Sequence, residues 1–166
     1  MKLFIISIFL SSCIFALEIV QTPIYFGKTR VDLTKKYIKQ HYDLDVKDIT
    51  IIPKIILIHY TAIDSYVESL KRFESQTLPI DRGDISKASA LNVSTHFMIE
   101  RDGTIHQLMP LNIMARHVIG LNYTSIGIEN VGGENNVKNL THQQLKANIS
   151  LVKWLKKKVK TLKYVV

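Results

Sequence analysis

Two ionisable residues lie in apolar segments of the sequence, where an unpaired charge is costly. His59 ends the apolar run 54–60, and Glu129 lies inside the run 126–131. A carboxylate within such a run lies either on a solvated edge or in a cleft, because burying it unpaired is expensive. Burial raises the pKa of a carboxyl group, which suits general-base chemistry. A histidine at the carboxyl end of a strand is well placed for a metal, since ligands collect at that edge of open α/β sheets.

The other histidines are not equally suited to metal binding or proton transfer. His41 and His142 fall in segments of helical period without a partner in the pattern, so we expect both at the surface. The remaining candidates for metal binding or proton transfer besides His59 are His96, His106 and His117.

The elements that must position these residues alternate between strand and helix. Apolar spacing predicts helices over 31–42, 63–75 and 141–159, and strands over 54–60, 94–100, 104–109, 125–131 and from 164 onwards. Asp102-Gly103 between two of the strands predicts a hairpin. The fold class is therefore α/β, with a mixed central β-sheet flanked by helices.

Length and composition exclude several classes of protein. The chain has 166 residues, enough for one domain with a hydrophobic core. A single cysteine, Cys13, excludes a disulfide scaffold and a cysteine-based zinc finger. The net charge of +8 comes entirely from residues 137–166, which hold eight lysines and no acid. We interpret them as a solvated helix face; an anionic envelope surface is the alternative, and no nucleic-acid partner is expected.

The N-terminus reads as an export signal. Met1-Lys2 is followed by the apolar run 3–10, too short to span a bilayer, and by small residues as far as Ala16. We predict a signal peptide over 1–16 and a periplasmic or cell-envelope location. Leu10-Ser11-Ser12-Cys13 also resembles a lipobox, so a lipoprotein anchored in the outer membrane through Cys13 is the alternative. An uncleaved, buried N-terminal segment is a third interpretation. The remainder divides into a lead-in with a helix, 17–53, and a main domain, 54–166.

Four motifs in order resemble the zinc-dependent N-acetylmuramoyl-L-alanine amidases, the family that includes the peptidoglycan recognition proteins. They are His59-Tyr60-Thr61-Ala62, Ser94-Thr95-His96-Phe97-Met98-Ile99 with its Asp-Gly turn, Ala115-Arg116-His117-Val118-Ile119-Gly120 and Ser125-Ile126-Gly127-Ile128-Glu129. Arg116 stands where tryptophan is common in the family. The resemblance runs from about residue 55 to residue 166, and it implies the mixed-sheet fold of that family.

The resemblance also implies an activity. It is hydrolysis of the amide between N-acetylmuramic acid and L-alanine in peptidoglycan or muropeptides, with Zn²⁺ as cofactor. Carried over by position, His59 is the first zinc ligand, and Glu129 is the general base or stabilises the tetrahedral intermediate. His96 and His117 are expected to contact substrate or to support the metal site. His106 is expected to be structural.

The sequence departs from the family after the last predicted helix. There the family supplies two further zinc ligands, whereas no residue after His142 is His, Asp, Glu or Cys. We therefore expect a domain truncated at its C-terminus, with the remaining ligands beyond Val166. The alternatives are a catalytically inactive peptidoglycan-binding module, an inactive fragment, or a substitute metal site built from the residues already named.

Overall fold

The computed structural model describes residues 17–136 and 139–166. The predicted signal peptide and Cys13 lie outside the described residues, so both assignments stay predictions. Strands and helices follow one another as β1 Val20–Gln21, α1 Lys28–Tyr42, β2 Ile55–Tyr60, α2 Tyr66–Glu74, α3 Gly83–Ser86, β3 Phe97–Ile99, β4 Ile105–Gln107, β5 Ser125–Asn130, α4 His142–Lys158 and β6 Tyr164–Val165.

The strands form one mixed sheet in the order β1-β4-β3-β5-β2-β6. The β3–β4 pair is antiparallel and turns at Asp102-Gly103, where Gly103 has a φ of 92°. The other neighbouring pairs are parallel. The predicted hairpin and the predicted α/β class with a mixed central sheet are both confirmed.

Helix α4 covers one face of the sheet. Ala147, Leu151 and Leu155 recur at helical spacing and pack on the apolar side chains that β2, β3 and β5 direct to this face, which are Ile56, Phe97, Ile99, Ile126 and Ile128. The helix begins with a capping box between Thr141 and Gln144. Burial of this stripe fixes which alternate residues of the strands face the core. None of the described helices is long and apolar enough to cross a membrane.

The opposite face of the sheet is covered mainly by α2. Phe73 of α2 packs with Met98 of β3 and with Ala115 in the loop before β5. Helix α1 forms a third cluster through Tyr37 and Ile38, which pack on residues of the connections 49–51, 91 and 114. Helices α1 and α2 do not cover the whole of this face, so polar side chains of the sheet can lie there.

The predicted boundaries hold to within a few residues, with two additions. The segment 76–93, expected as a loop, contains the short helix α3. The lead-in contributes β1, which pairs with the far edge of the hairpin through Val20 and His106. His106 is buried there, and its ring nitrogens contact Thr22, Tyr66 and Glu100. This agrees with the structural role expected for His106.

A buried arginine ties α1 to the end of α2. Arg30 is completely buried, and its Nη2 donates to the carbonyl oxygens of Phe73, Glu74 and Ser75. Burial lowers the pKa of its guanidinium to about 10. Carbonyl groups at a helix C-terminus lack partners within the helix and carry partial negative charge, so the cation satisfies them.

Replacing Arg30 should destabilise the fold. We expect Arg30→Ala to lower the free energy of unfolding by about 3 kcal/mol, because buried carbonyls lose a charged donor. Lys28→Ala in the same helix is the control; Lys28 is 88% exposed and pairs with Asp32 at the surface, so its loss should leave stability nearly unchanged. Urea unfolding of both variants measures this. Equal costs for the two would show that Arg30 does not hold α2.

Candidate active site

His59 and Glu129 are neighbours across the parallel pair β2–β5. The register places His59 opposite Glu129, with Met98 of β3 next in the same row. Side chains of directly paired residues point to the same face of a sheet. Because the alternate residues pack under α4, His59 and Glu129 lie on the face that α2 only partly covers. The structure therefore brings together the two residues that the sequence singled out.

A pocket of about 390 Å³ opens above this row. One wall is the end of β2 with the loop that follows it, residues 60–63, and another is α2 with Ser69 and Phe73. His117 and Glu129 also line it. His59 is not among the lining residues, but its ring contacts that of His117.

Three arginines give this pocket a cationic lining. Arg72 pairs with Asp81 at 2.6 Å, and Arg82 pairs with Asp84 at 3.2 Å, both in exposed positions. Arg116 is buried, and its guanidinium donates to the carbonyl oxygens of three residues in the connection before β3, which are Ile85, Ser89 and Leu91. Arg116 thus holds that connection, while Arg72 and Arg82 are the two that present charge to the pocket.

The carboxyl group of Glu129 is desolvated without compensation. Its Oε2 atom is buried and has no hydrogen-bond partner among the described residues. Desolvation raises the pKa of Glu129 from 4.5 to about 8. A carboxyl group with a pKa near neutrality can both accept and release a proton at physiological pH, which is the property that a general acid–base catalyst needs.

His59 and His117 contact each other directly. The His59 Nε2 atom lies 3.0 Å from His117 Nδ1, and the other ring nitrogen of His117 lies 3.2 Å from Ser125 Oγ. Burial lowers the pKa of His59. The pKa of His117 lies well below 6.5, first because of burial and then because of the neighbouring His96 and His59. Both rings are neutral at pH 7 and can offer a lone pair.

His96 lies beneath the site and not in the pocket. It is completely buried; Nδ1 accepts the N–H of Gly127 at 3.1 Å and Nε2–H donates to the carbonyl of Ile113 at 2.9 Å. Burial lowers the pKa of His96 to about 4. With both nitrogens used, His96 supports β5. The substrate contact expected for it has no counterpart in this geometry, whereas His117 lies where such a contact can form.

The sequence interpretation missed the residue that makes room for His117. A Cβ atom on Gly127 would lie 2.8 Å from His117 Cγ and 2.9 Å from Thr95 Oγ1. The imidazole therefore rests directly on the backbone of β5, two residues before Glu129. The signal was visible in Ser125-Ile126-Gly127-Ile128-Glu129, where the small residues fall at period two on the face of Glu129.

The described side chains near Glu129 offer fewer ligands than a metal site usually has. Within residues 17–136 and 139–166, no group of three or more His, Cys, Asp or Glu side chains could hold a metal ion. The neutral ring of His59 and the unpartnered oxygen of Glu129 nevertheless fit a site to which His59 gives one ligand and Glu129 acts beside the metal. Fold and site together define a hydrolase-like cleft on an α/β sheet.

Comparison with known proteins assigns this cleft to a family. The profile of the N-acetylmuramoyl-L-alanine amidase family matches residues 50–165. The chain belongs to this family, whose reaction is hydrolysis of the amide bond between N-acetylmuramic acid and L-alanine in peptidoglycan. A search of curated proteins gave no match.

Solved structures share the fold. The endolysin and N-acetylmuramoyl-L-alanine amidase LysCS from Clostridium intestinale has a TM-score of 0.56 and 23% identity, covering 89% of this chain and 79% of its own. Bumblebee PGRP-SA has a TM-score of 0.52 and 21% identity, over 89% and 79%. The Ph2119 endolysin from a Thermus scotoductus bacteriophage has a TM-score of 0.52 and 17% identity, over 89% and 84%. At these identities the likeness shows a common fold.

A methyl group at position 127 should disturb the site. We expect Gly127→Ala to destabilise the protein by about 1–3 kcal/mol, because the added Cβ overlaps His117 and Thr95 and neither lies in open space. Gly83→Ala is the matched control, since a Cβ there meets nothing within 4 Å. Thermal unfolding of both variants measures the difference. A Gly127→Ala protein as stable as the Gly83→Ala protein would contradict the close approach of His117.

The buried acid should make stability depend on pH. A carboxyl whose pKa is raised by folding stabilises the native state fully below pH 4.5, and that contribution is lost as pH rises towards 8, by up to about 1.4 kcal/mol per pH unit. Glu129→Gln keeps the shape without the titration. Its free energy of unfolding, relative to wild type, should therefore rise between pH 5 and pH 8 when measured with a chelator. A difference that stays constant between pH 5 and pH 8 would contradict the desolvation of the Glu129 carboxyl.

Proposed function

We propose that this protein hydrolyses the N-acetylmuramoyl-L-alanine bond of peptidoglycan or muropeptides with Glu129 as its catalytic base. The observation that carries the proposal is the desolvated carboxyl of Glu129, paired in register with His59 on the floor of a pocket. Family membership supplies the reaction, and the geometry supports the assignment of Glu129 to its proton transfers. Glu129 can take a proton from water and pass it to the leaving nitrogen of L-alanine.

The proposed cofactor is Zn²⁺, with His59 as one of its ligands. When bound, zinc supplies a Lewis acid that polarises the amide carbonyl and lowers the pKa of a bound water. The neutral ring of His59 supports this role, because a metal binds the lone pair of an uncharged imidazole.

The cationic lining of the pocket supports a peptide substrate with free carboxylates. Arg72 and Arg82 are the exposed members, and each already holds an aspartate. Arginine binds carboxylates in a two-pronged geometry, so these side chains fit the acidic groups of a stem peptide. His117, which lines the same pocket, is proposed to contact the substrate near Glu129.

A second candidate function is peptidoglycan binding without catalysis. One observation favours it: the described residues contain no three-ligand metal cluster. In this case the pocket and its arginines would bind the muropeptide, and Glu129 would have no catalytic role.

The place of action is proposed from the sequence alone. The apolar run after Met1-Lys2 supports export to the periplasm or cell envelope. Anchoring through Cys13 is the alternative to release of a soluble product. Mass spectrometry of the mature chain distinguishes the two, because a lipidated Cys13 adds acyl chains to the first residue.

Amide hydrolysis by purified protein separates the two functions. With a muropeptide and added Zn²⁺, the amidase function predicts release of the stem peptide, at least about 100-fold slower for Glu129→Gln, because general-base catalysis contributes about 10²–10⁴-fold. His59→Gln should lose activity together with zinc binding.

Glu134→Gln is the matched control for this assay and should keep wild-type turnover. Muropeptide affinity should survive in Glu129→Gln, since the arginines are unchanged. A wild-type protein that binds muropeptide but releases no peptide at any zinc concentration would establish the binding module instead. Normal turnover by Glu129→Gln would remove Glu129 from the mechanism.

A further inference from the structure

We propose that Ser125 and His117 are positioning residues which hold His59 in the tautomer that leaves its Nδ1 atom free for a metal ion. The role of this tautomer in metal binding rests on the proposed zinc chemistry. The tautomer itself does not, because it follows from a chain of hydrogen bonds among residues of β2, β5 and the loop before β5.

The chain begins at the carbonyl oxygen of Leu121, which can only accept. Ser125 Oγ lies 2.8 Å from it and donates its single proton there. The same Oγ lies 3.2 Å from His117 Nε2. Since a hydroxyl has one proton, Ser125 has none left for His117 and must accept from it. His117 therefore carries its proton on Nε2.

The direction of the next bond follows. The hydrogen-bond partners of the His117 ring are Ser125 and His59, and neither is a carboxylate. A second proton on this half-buried ring would place an unpaired charge beside two further imidazoles, so the ring carries one proton. That proton is on Nε2, so Nδ1 holds a lone pair. The His59 Nε2 atom, 3.0 Å away, must then be the donor. His59 in turn keeps its proton on Nε2 and a lone pair on Nδ1, which forms no hydrogen bond with any described residue.

The backbone of His117 is held in place independently of this chain of hydrogen bonds. Asn122 Oδ1 accepts the backbone N–H groups of His117 and Val118, each at 2.8 Å, and Asn122 Nδ2 donates to the hydroxyl of Tyr37 at 2.9 Å. The absence of a side chain at Gly127 gives the ring its seat on β5. The chain of hydrogen bonds does not include His96, because both ring nitrogens of His96 already have other partners.

Such an arrangement matters for a metal ligand in two ways. The hydrogen bond made by one ring nitrogen decides which nitrogen binds the metal, and it also fixes the plane of the ring. Loss of a partner of this kind commonly weakens metal binding about 10- to 100-fold. His59 is thus oriented before the ion arrives, by residues that do not touch the ion.

Nuclear magnetic resonance of the histidine rings tests the proposal without any activity assay. The full chain is labelled with ¹⁵N in histidine, and long-range ¹H–¹⁵N spectra are recorded at neutral pH with a chelator. His59→Gln and His117→Gln assign the signals. We expect both rings in the Nε2–H form. A wild-type spectrum with His59 or His117 in the Nδ1–H form overturns the proposal, whatever the variants do.

Variants of two adjacent hydroxyls test the links. Ser125→Ala should convert the His117 signals, and with them those of His59, to mixtures of tautomers, whereas Ser125→Thr should restore the wild-type pattern. Thr124→Ala is the matched control, because Thr124 also donates to the carbonyl of Leu121 but does not contact His117. Unchanged His59 and His117 tautomers in a folded Ser125→Ala protein would show that Ser125 does not fix them, which would contradict the proposal.

Zinc added to the same samples separates this inference from the proposed function. Zn²⁺ should shift His59 Nδ1 and leave His117 Nε2–H in place, with about 10- to 100-fold weaker binding in Ser125→Ala. Loss of the Nε2–H signal of His59, with coordination through that atom, would overturn the proposal. If zinc shifts the signals of neither ring, the proposed zinc function is wrong. The tautomers measured without metal still test the hydrogen-bond chain from Ser125 to His59.

Discussion

The register between β2 and β5 is the constraint on which the site depends. It places a histidine and a carboxylic acid side by side, and a slip of one residue in either strand would turn that strand's ionisable side chain towards the core under α4. The apolar residues on the α4 face therefore do more than stabilise the sheet. By fixing which side chains point inwards, they hold His59 and Glu129 on the face that carries the pocket.

Burial then determines the charge of the site. The three imidazoles and the Glu129 carboxyl all have pKa values shifted towards the uncharged form, mainly by desolvation. The floor of the pocket and the layer beneath it are consequently polar but neutral, while the arginines above them are charged. A cation bound at this floor would draw Glu129 back to its ionised form, because a nearby positive charge offsets the cost of desolvation.

Local pattern was enough to predict most of the elements. The run of isoleucines before His59, the Asp-Gly turn and the stripe of α4 each carry their own periodicity, so strand, hairpin and helix could be predicted, and with them the strand end at His59. The pairing of β1 with β4 could not, since a strand of two residues has no periodicity. The burial of His96 and the guanidinium contacts of Arg116 were also out of reach, because they depend on residues 17–31 positions away in the chain.

The paired arginines at the pocket have a consequence for how the cleft meets its ligand. Arg72–Asp81 and Arg82–Asp84 are solvent-accessible ion pairs, and water screens such pairs so that they contribute little to stability. The carboxylate of an incoming ligand can therefore take the place of either aspartate on its arginine at little cost. The carboxylates of Asp81 and Asp84 occupy the same guanidinium groups that an acidic ligand would use, so added salt should weaken binding of such a ligand.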